Sequence, residues 1–198
     1  MSLEKILQSA LRELPKVIIS EAHLAQVLTE QFRNHGYEVF TELRIDLEDS
    51  NSKKSYYVDL CVYKQKVASI IELKFKTESN QSGLSGHFLH TDLKFEYKNH
   101  KAANLATYSF WKDVLRLEEI KNSREMISHC YAVFVSNDSN YFEIAKTKFT
   151  WPQVGLGHSE VLNGHYSFNG KHSLTLIKDY KLTHIDYSNW KSTVVKVV

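Results

Sequence analysis

The sequence is poor in the residues that staple, break or loosen a chain: two cysteines, two prolines and seven glycines among 198 residues. Cys61 and Cys130 stand far apart with no Cys-x-x-Cys spacing. That excludes a disulfide framework and points to a reducing compartment. So little glycine leaves no G-x-G-x-x-G turn and no Walker-type loop, so a dinucleotide-binding or P-loop domain is not expected. The G-x-S-x-G elbow of a serine hydrolase is missing as well. No apolar run approaches the length of a membrane span. The opening "MSLEKILQSALREL" is an amphipathic pattern with acidic residues, not a basic stretch leading into an apolar one, so no signal peptide is read. A cytoplasmic protein with no membrane partner is expected. Charge of one sign is lacking too, because a net charge of +2 is too small to draw nucleic acid or membranes to the whole molecule. Any such binding must come from where the charges sit.

An apolar content of 42% and a charged content of 24% are those of an ordinary globular protein. The length suits one domain with a real core. Leu3, Ile6, Leu7, Ala10, Leu11 and Leu14 recur at helical spacing up to Pro15. A second helix follows from an N-cap at Ser20, with Leu24, Leu28 and Phe32 on one face and Gly36 as its stop. "YEVFTELRID" alternates as a strand with Tyr37, Val39, Thr41 and Leu43 on one face. Two further strands are predicted at about Tyr56–Tyr63 and Val67–Phe75. A polar loop over 77–92 comes next, then a helix from about Asn99 to Lys121 that buries Ala102, Leu105, Ala106, Trp111, Val114, Leu115 and Leu117. "CYAVFVSND" is a fourth strand. In the less regular last third, "SLTLIKDYKLTHIDY" reads as a hairpin after a loop at 151–172. Short connections make the first three strands antiparallel. The helical crossover brings the fourth back parallel to the third, giving a mixed α/β fold.

The second and third strands, "YYVDLCVYKQKVASIIELKFK", carry charge where a core strand should have none. With a turn centred between Gln65 and Lys66, Asp59 faces Glu72, their Cβ atoms about 4.5–5.5 Å apart. Strand period places Lys74 on the face of Glu72, while Val67, Ile71, Leu73 and Phe75 form an apolar face opposite. Two facing carboxylates repel and are costly near a core. Lys74 and a divalent cation could offset them, and hard oxygen donors on a rigid sheet suit Mg²⁺. The same residues could instead form an ordinary salt bridge on a partly exposed sheet, in a module with no catalytic role.

"VDLCVYKQKVASIIELKFK" resembles the core motif of the PD-(D/E)XK superfamily, the nucleases with a restriction-endonuclease-like fold. Asp59 stands at the motif's Asp, and Glu72 and Lys74 form its E-x-K. Val58 replaces the nominal proline before Asp59. The element order extends the resemblance over about residues 18–136, an αβββαβ core within a single domain spanning 1–198. Residues 137–198 would form a β-rich extension. The resemblance implies a Mg²⁺-dependent, Mn²⁺-tolerant nuclease that cleaves DNA to 5′-phosphates, in restriction, antiphage defence or repair. It is often a homodimer, since two strands need two sites. It also implies that Asp59, Glu72 and the backbone carbonyl of Leu73 bind metal and that Lys74 positions or activates the attacking water. Glu21 is the candidate for the acidic ligand that many members add from the helix before the first strand, although an acid in a first turn also complements the helix dipole. The alternative is a nuclease fold that cleaves weakly or not at all and serves as an accessory or nucleic-acid-binding subunit.

Lys76, Lys98 and Lys101 are the candidate phosphate contacts, among Lys64, Lys66, Lys94 and Lys112, with Phe95, Tyr97 and Tyr108 available for stacking. The polar loop at 77–92 lies beside the candidate site in sequence and could govern substrate choice. His158, His165 and His172, and His87 with His90, have spacings a zinc site could use. No cysteine or carboxylate pattern completes a tetrahedral set, and they read as loop histidines.

Overall fold

A computed structural model of the chain describes residues 1–49, 52–78, 103–143, 152–168 and 172–198. Helix α1 (Leu3–Arg12) buries Leu3, Ile6, Leu7, Ala10 and Leu11, the predicted stripe. Helix α2 (Glu21–Asn34) starts where the Ser20 hydroxyl accepts the amide of His23 at 3.0 Å. Its last turn closes in a Schellman motif. Gly36 donates to the Arg33 carbonyl at 2.9 Å and Tyr37 to that of Phe32 at 3.2 Å. Gly36 can take the required φ of +75° because it has no Cβ.

Strands β1 (Glu38–Asp49), β2 (Ser52–Lys64) and β3 (Val67–Lys76) form an antiparallel meander. Helix α3 (Ala103–Ser123) then leads to β4 (Ile127–Ser136), parallel to β3 as the crossover predicted. After a 3₁₀ turn at Ser139–Tyr141 and another at Pro152–Val154 come β5 (Glu160–Val161), β6 (Gly164–Phe168), β7 (His172–Leu176), β8 (Tyr180–Tyr187) and β9 (Trp190–Val197). Among the described residues the main sheet has seven strands in the order β1-β2-β3-β4-β9-β8-β5, with β6 and β7 paired separately.

Helices cover both faces of a mixed sheet. Leu60, Val62, Ile71, Leu73, Phe75, Val133 and Val135 pack under α1 and α2, whereas Val58, Cys61, Ala68, Ile70, Ala132 and Phe134 pack under α3. Trp190 ties β9 to the chain's beginning, its ring against Phe75 and its Nε1 donating to the Pro15 carbonyl at 2.9 Å.

Four expectations change. The predicted hairpin over "SLTLIKDYKLTHIDY" does not form, because Ser173–Leu176 pairs with β6 and Tyr180–Tyr187 pairs with β9. Strand β9, missed in the sequence reading, slots between β4 and β8. Leu105 on α3 is 45% exposed, and Phe110 and Ile120 take the interior instead. The uniform face expected for β1 is broken. Val39 packs under α2 but Ile45 and Leu47 pack under α3, and Leu43 is 37% exposed. Strand β2 turns over likewise, with Leu60 under α2 and Val58 under α3. Alternation with period two would forbid both. The inversion falls at Glu42 and Asp59, the one pair missing between the rungs Thr41–Leu60 and Leu43–Val58. Glu42, at φ +51°, absorbs it in a left-handed conformation uncommon for a residue with a Cβ.

The β2–β3 turn contains neither Gly nor Asn, the residues that most readily fix a tight hairpin. It is nevertheless a two-residue turn with Gln65 at φ +52° and Lys66 at φ +67°, the type I′ signature. Neither residue favours that region. Replacing Gln65-Lys66 with Asn-Gly is therefore expected to stabilise the fold by roughly 1 kcal/mol, read as a higher urea midpoint at unchanged slope.

Candidate active site

The β2–β3 ladder keeps the predicted register from Lys64–Val67 to Leu60–Ile71, and there it stops. Asp59 and Glu72 would form the next rung, but the strands separate. The Asp59 Oδ2 takes the Leu73 amide at 2.6 Å in place of a backbone acceptor. One step further along β3, the Phe75 amide donates at 2.8 Å to Oε2 of Glu21, from the first turn of α2. Two carboxylates thus replace the missing strand edge. A strand residue directs its N–H and C=O to the same edge, so the Leu73 carbonyl opens into this split as well.

Glu72 is 4% exposed. Its Oε2 receives Arg116 Nη2 at 2.8 Å, while no donor reaches its Oε1. Burial first, and then the negative charge of Asp59, push its pKa up to about 9 against the opposing pull of Arg116. At neutral pH the carboxyl holds a proton and can donate it to Asp59. Lys74 Nζ lies 3.1 Å from Oδ2 of Asp113, and Arg116 Nη2 lies 3.2 Å from Oδ1 of the same carboxylate. Burial pulls the Lys74 ammonium down, but Asp113, Glu21 and Asp59 outweigh it and hold its pKa above the ordinary value. Lys74 is therefore a fixed cation at neutral pH, suited to orienting water or a phosphoryl oxygen rather than removing a proton. Burial also raises Glu21, with the Phe75 amide and Lys74 opposing. A cleft of about 520 Å³ between α2 and the β1–β2 pair is lined by Glu21, Gln26, Thr29, Arg33, Glu42 and Asp59.

Of the predicted site residues, Asp59, Glu72, Leu73 and Lys74 meet at the split, and Glu21 borders it. The oxygen donors and the unpartnered Glu72 Oε1 fit a hard divalent cation such as Mg²⁺. Glu21 does not join them in a compact cage, since no three His, Cys, Asp or Glu side chains form a metal-holding group among the described residues. Lys76 lies half-buried close enough to Glu21 to lower its pKa. Lys98 and Lys101 lie outside the described residues, as do Lys94, Phe95, Tyr97, His87, His90 and positions 79–92 of the polar loop. Lys64 is tied down, donating to the His35 carbonyl at 2.9 Å with its ammonium 4.6 Å from the Tyr37 ring centre. His165 and His172 belong to β6 and β7 rather than to a loop. Both thiols are buried, and burial pushes Cys130 up to about 12, which leaves neither as a nucleophile.

Asp113 and Arg116 escaped the sequence reading. The available signal was an acid and a base three residues apart on α3 among Phe110, Val114 and Leu117, positions that face the core. Compared with protein-family models, curated proteins and solved structures, the chain matches none. No helix among the described residues is long and apolar enough to cross a membrane.

The raised Glu72 pKa links stability to pH. The folded state retains a proton that the unfolded chain releases near 4.5, so wild-type stability falls as pH climbs from there to about 9. Glu72→Gln keeps the uncharged form at every pH. In metal-free buffer with chelator, its Tm is expected to match wild type at pH 4 and to exceed it by a margin that widens up to pH 9. A constant difference across that range would disprove the proton assignment.

Proposed function

We propose that the chain is a metal-dependent nuclease that hydrolyses phosphodiester bonds in DNA. The observation that carries this reading is the split beside β3. Asp59 and Glu72 there bring their carboxyl groups together next to the Leu73 carbonyl, with the Lys74 ammonium two residues along. The run α2-β1-β2-β3-α3-β4, with β3 parallel to β4, is the element order of the restriction-endonuclease-like core that the motif resembles, and it supports the same reading.

In this proposal Asp59, Glu72 and the Leu73 carbonyl hold Mg²⁺ or Mn²⁺, with Glu21 as a flanking acid. When bound, the cation supplies Lewis-acid stabilisation of a phosphoryl oxygen and lowers the pKa of water. Lys74 orients the attacking water and balances charge gathering on the phosphate. Lys76 extends the positive edge of β3 towards the substrate backbone. A second reading, a non-catalytic accessory subunit, draws on the absence of a compact metal-holding group among the described residues.

Cleavage of supercoiled, linear, single-stranded and branched DNA separates the two. With Mg²⁺ or Mn²⁺ the wild-type protein is expected to cut at least one substrate and chelator to stop it. Asp59→Ala and Lys74→Ala are each expected to lose about 10²-fold or more in rate. Absence of both cutting and calorimetric metal binding would transfer the assignment to the accessory reading.

A further inference from the structure

The two motif residues on β3 are each held by a charged side chain of α3. Glu72 pairs with Arg116 at 2.8 Å and Lys74 with Asp113 at 3.1 Å, while Asp113 and Arg116 touch each other at 3.2 Å. A strand places residues two apart on one face, and a helix does so for residues three apart. E-x-K on β3 and D-x-x-R on α3 are therefore geometrically matched, acid to base and base to acid. All four side chains are largely withdrawn from water, with side-chain exposures of 5% for Glu72, 12% for Asp113, 19% for Lys74 and 28% for Arg116.

Charges so enclosed must be paired, yet pairing alone does not require this arrangement. Arg116 engages only one oxygen of Glu72, so Oε1 remains buried with no donor reaching it. Asp113 spans both cations with its two oxygens, which fixes the distance between the Arg116 guanidinium and the Lys74 ammonium. Arg116 is itself backed by the Tyr56 ring, whose centre lies 5.8 Å away, and Tyr56 donates its hydroxyl to Glu119 at 2.7 Å. The guanidinium is thus held from behind as well as in front.

We propose that Asp113 and Arg116 are positioning residues of the candidate site: Arg116 presents Glu72 to a divalent cation through a single oxygen, and Asp113 sets Lys74 beside it. This rests on the nuclease reading and deepens it, because it makes α3 a component of the site. Outer partners of metal ligands commonly govern affinity by 10–100-fold. A mere counter-ion would act in the opposite sense. Removing a positive charge beside the carboxylates would leave cation affinity unchanged or raise it.

The test is Mn²⁺ binding by calorimetry in the DNA-free full chain, alongside cleavage kinetics and Tm. Arg116→Met is expected to weaken Mn²⁺ binding by about 10–100-fold, with Arg116→Lys recovering part of the loss. Asp113→Asn is expected to lower kcat while leaving KM for DNA unchanged. Glu4→Gln, which removes a half-buried ion pair with Lys196 on the far side of the sheet, serves as the matched control and should behave as wild type. Unchanged or tighter Mn²⁺ binding in a folded Arg116→Met would overturn the inference, and the nuclease reading would survive. If Arg116→Met does not fold, Arg116→Lys decides: binding and kcat equal to wild type overturn the inference. A wild-type chain that neither binds Mn²⁺ nor cuts DNA removes the nuclease reading and this inference with it.

Discussion

The separation of β2 from β3 after the Leu60–Ile71 rung is the constraint on which the rest depends. A buried strand cannot leave its amides without acceptors, and β3 here loses its neighbour while still enclosed by helices on both faces. Asp59 and Glu21 supply the acceptors for Leu73 and Phe75. Carboxylates are thereby drawn to a place where burial is unfavourable, each giving one oxygen to the backbone. The inversion of β1 and β2 at Glu42 and Asp59 belongs to the same event, because Asp59 can reach across to β3 only where it is released from both ladders.

Buried acids need compensation, and α3 provides most of it. The cross-pairing of Glu72 with Arg116 and of Lys74 with Asp113 places a nearly neutral network between strand and helix. What is left uncompensated is local: one oxygen of Glu72 against the charge of Asp59. A proton occupies that role in the metal-free state, through the raised pKa of Glu72. The chemistry and the stability of the region are two aspects of one electrostatic problem.

Much of this could be read from the chain. Period-two spacing and a two-residue turn were enough to give the β2–β3 register, and with it the approach of Asp59 to Glu72. The helical stripe of α1 and the Ser20 and Gly36 signals of α2 are local and held. The parallel return of β4 followed from chain connectivity. What failed was non-local. Nothing in "YEVFTELRID" shows that Glu42 will adopt a positive φ and invert the strand, because that cost is met by packing on both helices. Asp113 and Arg116 look like ordinary polar residues of a helix until β3 lies beneath them. The C-terminal strands were mispaired because hairpin logic assumes that neighbours in sequence are neighbours in the sheet, whereas β7 leaves the main sheet and β9 inserts beside β4.

That insertion has a bearing on how the molecule is made. Strand β3 rests on β4, and the far edge of β4 is closed only by Trp190–Val197. Trp190 reaches back across 175 positions to Pro15, and Lys196 across 192 to Glu4. Such distant closures place the chain among domains of high contact order, where loop-closure entropy must be overcome before native pairing stabilises anything. On a ribosome, the sheet beneath the E-x-K strand would stay unfinished until Trp190–Val197 had emerged. The site would therefore be assembled only once these strands are free to meet the segment from Glu4 to Pro15.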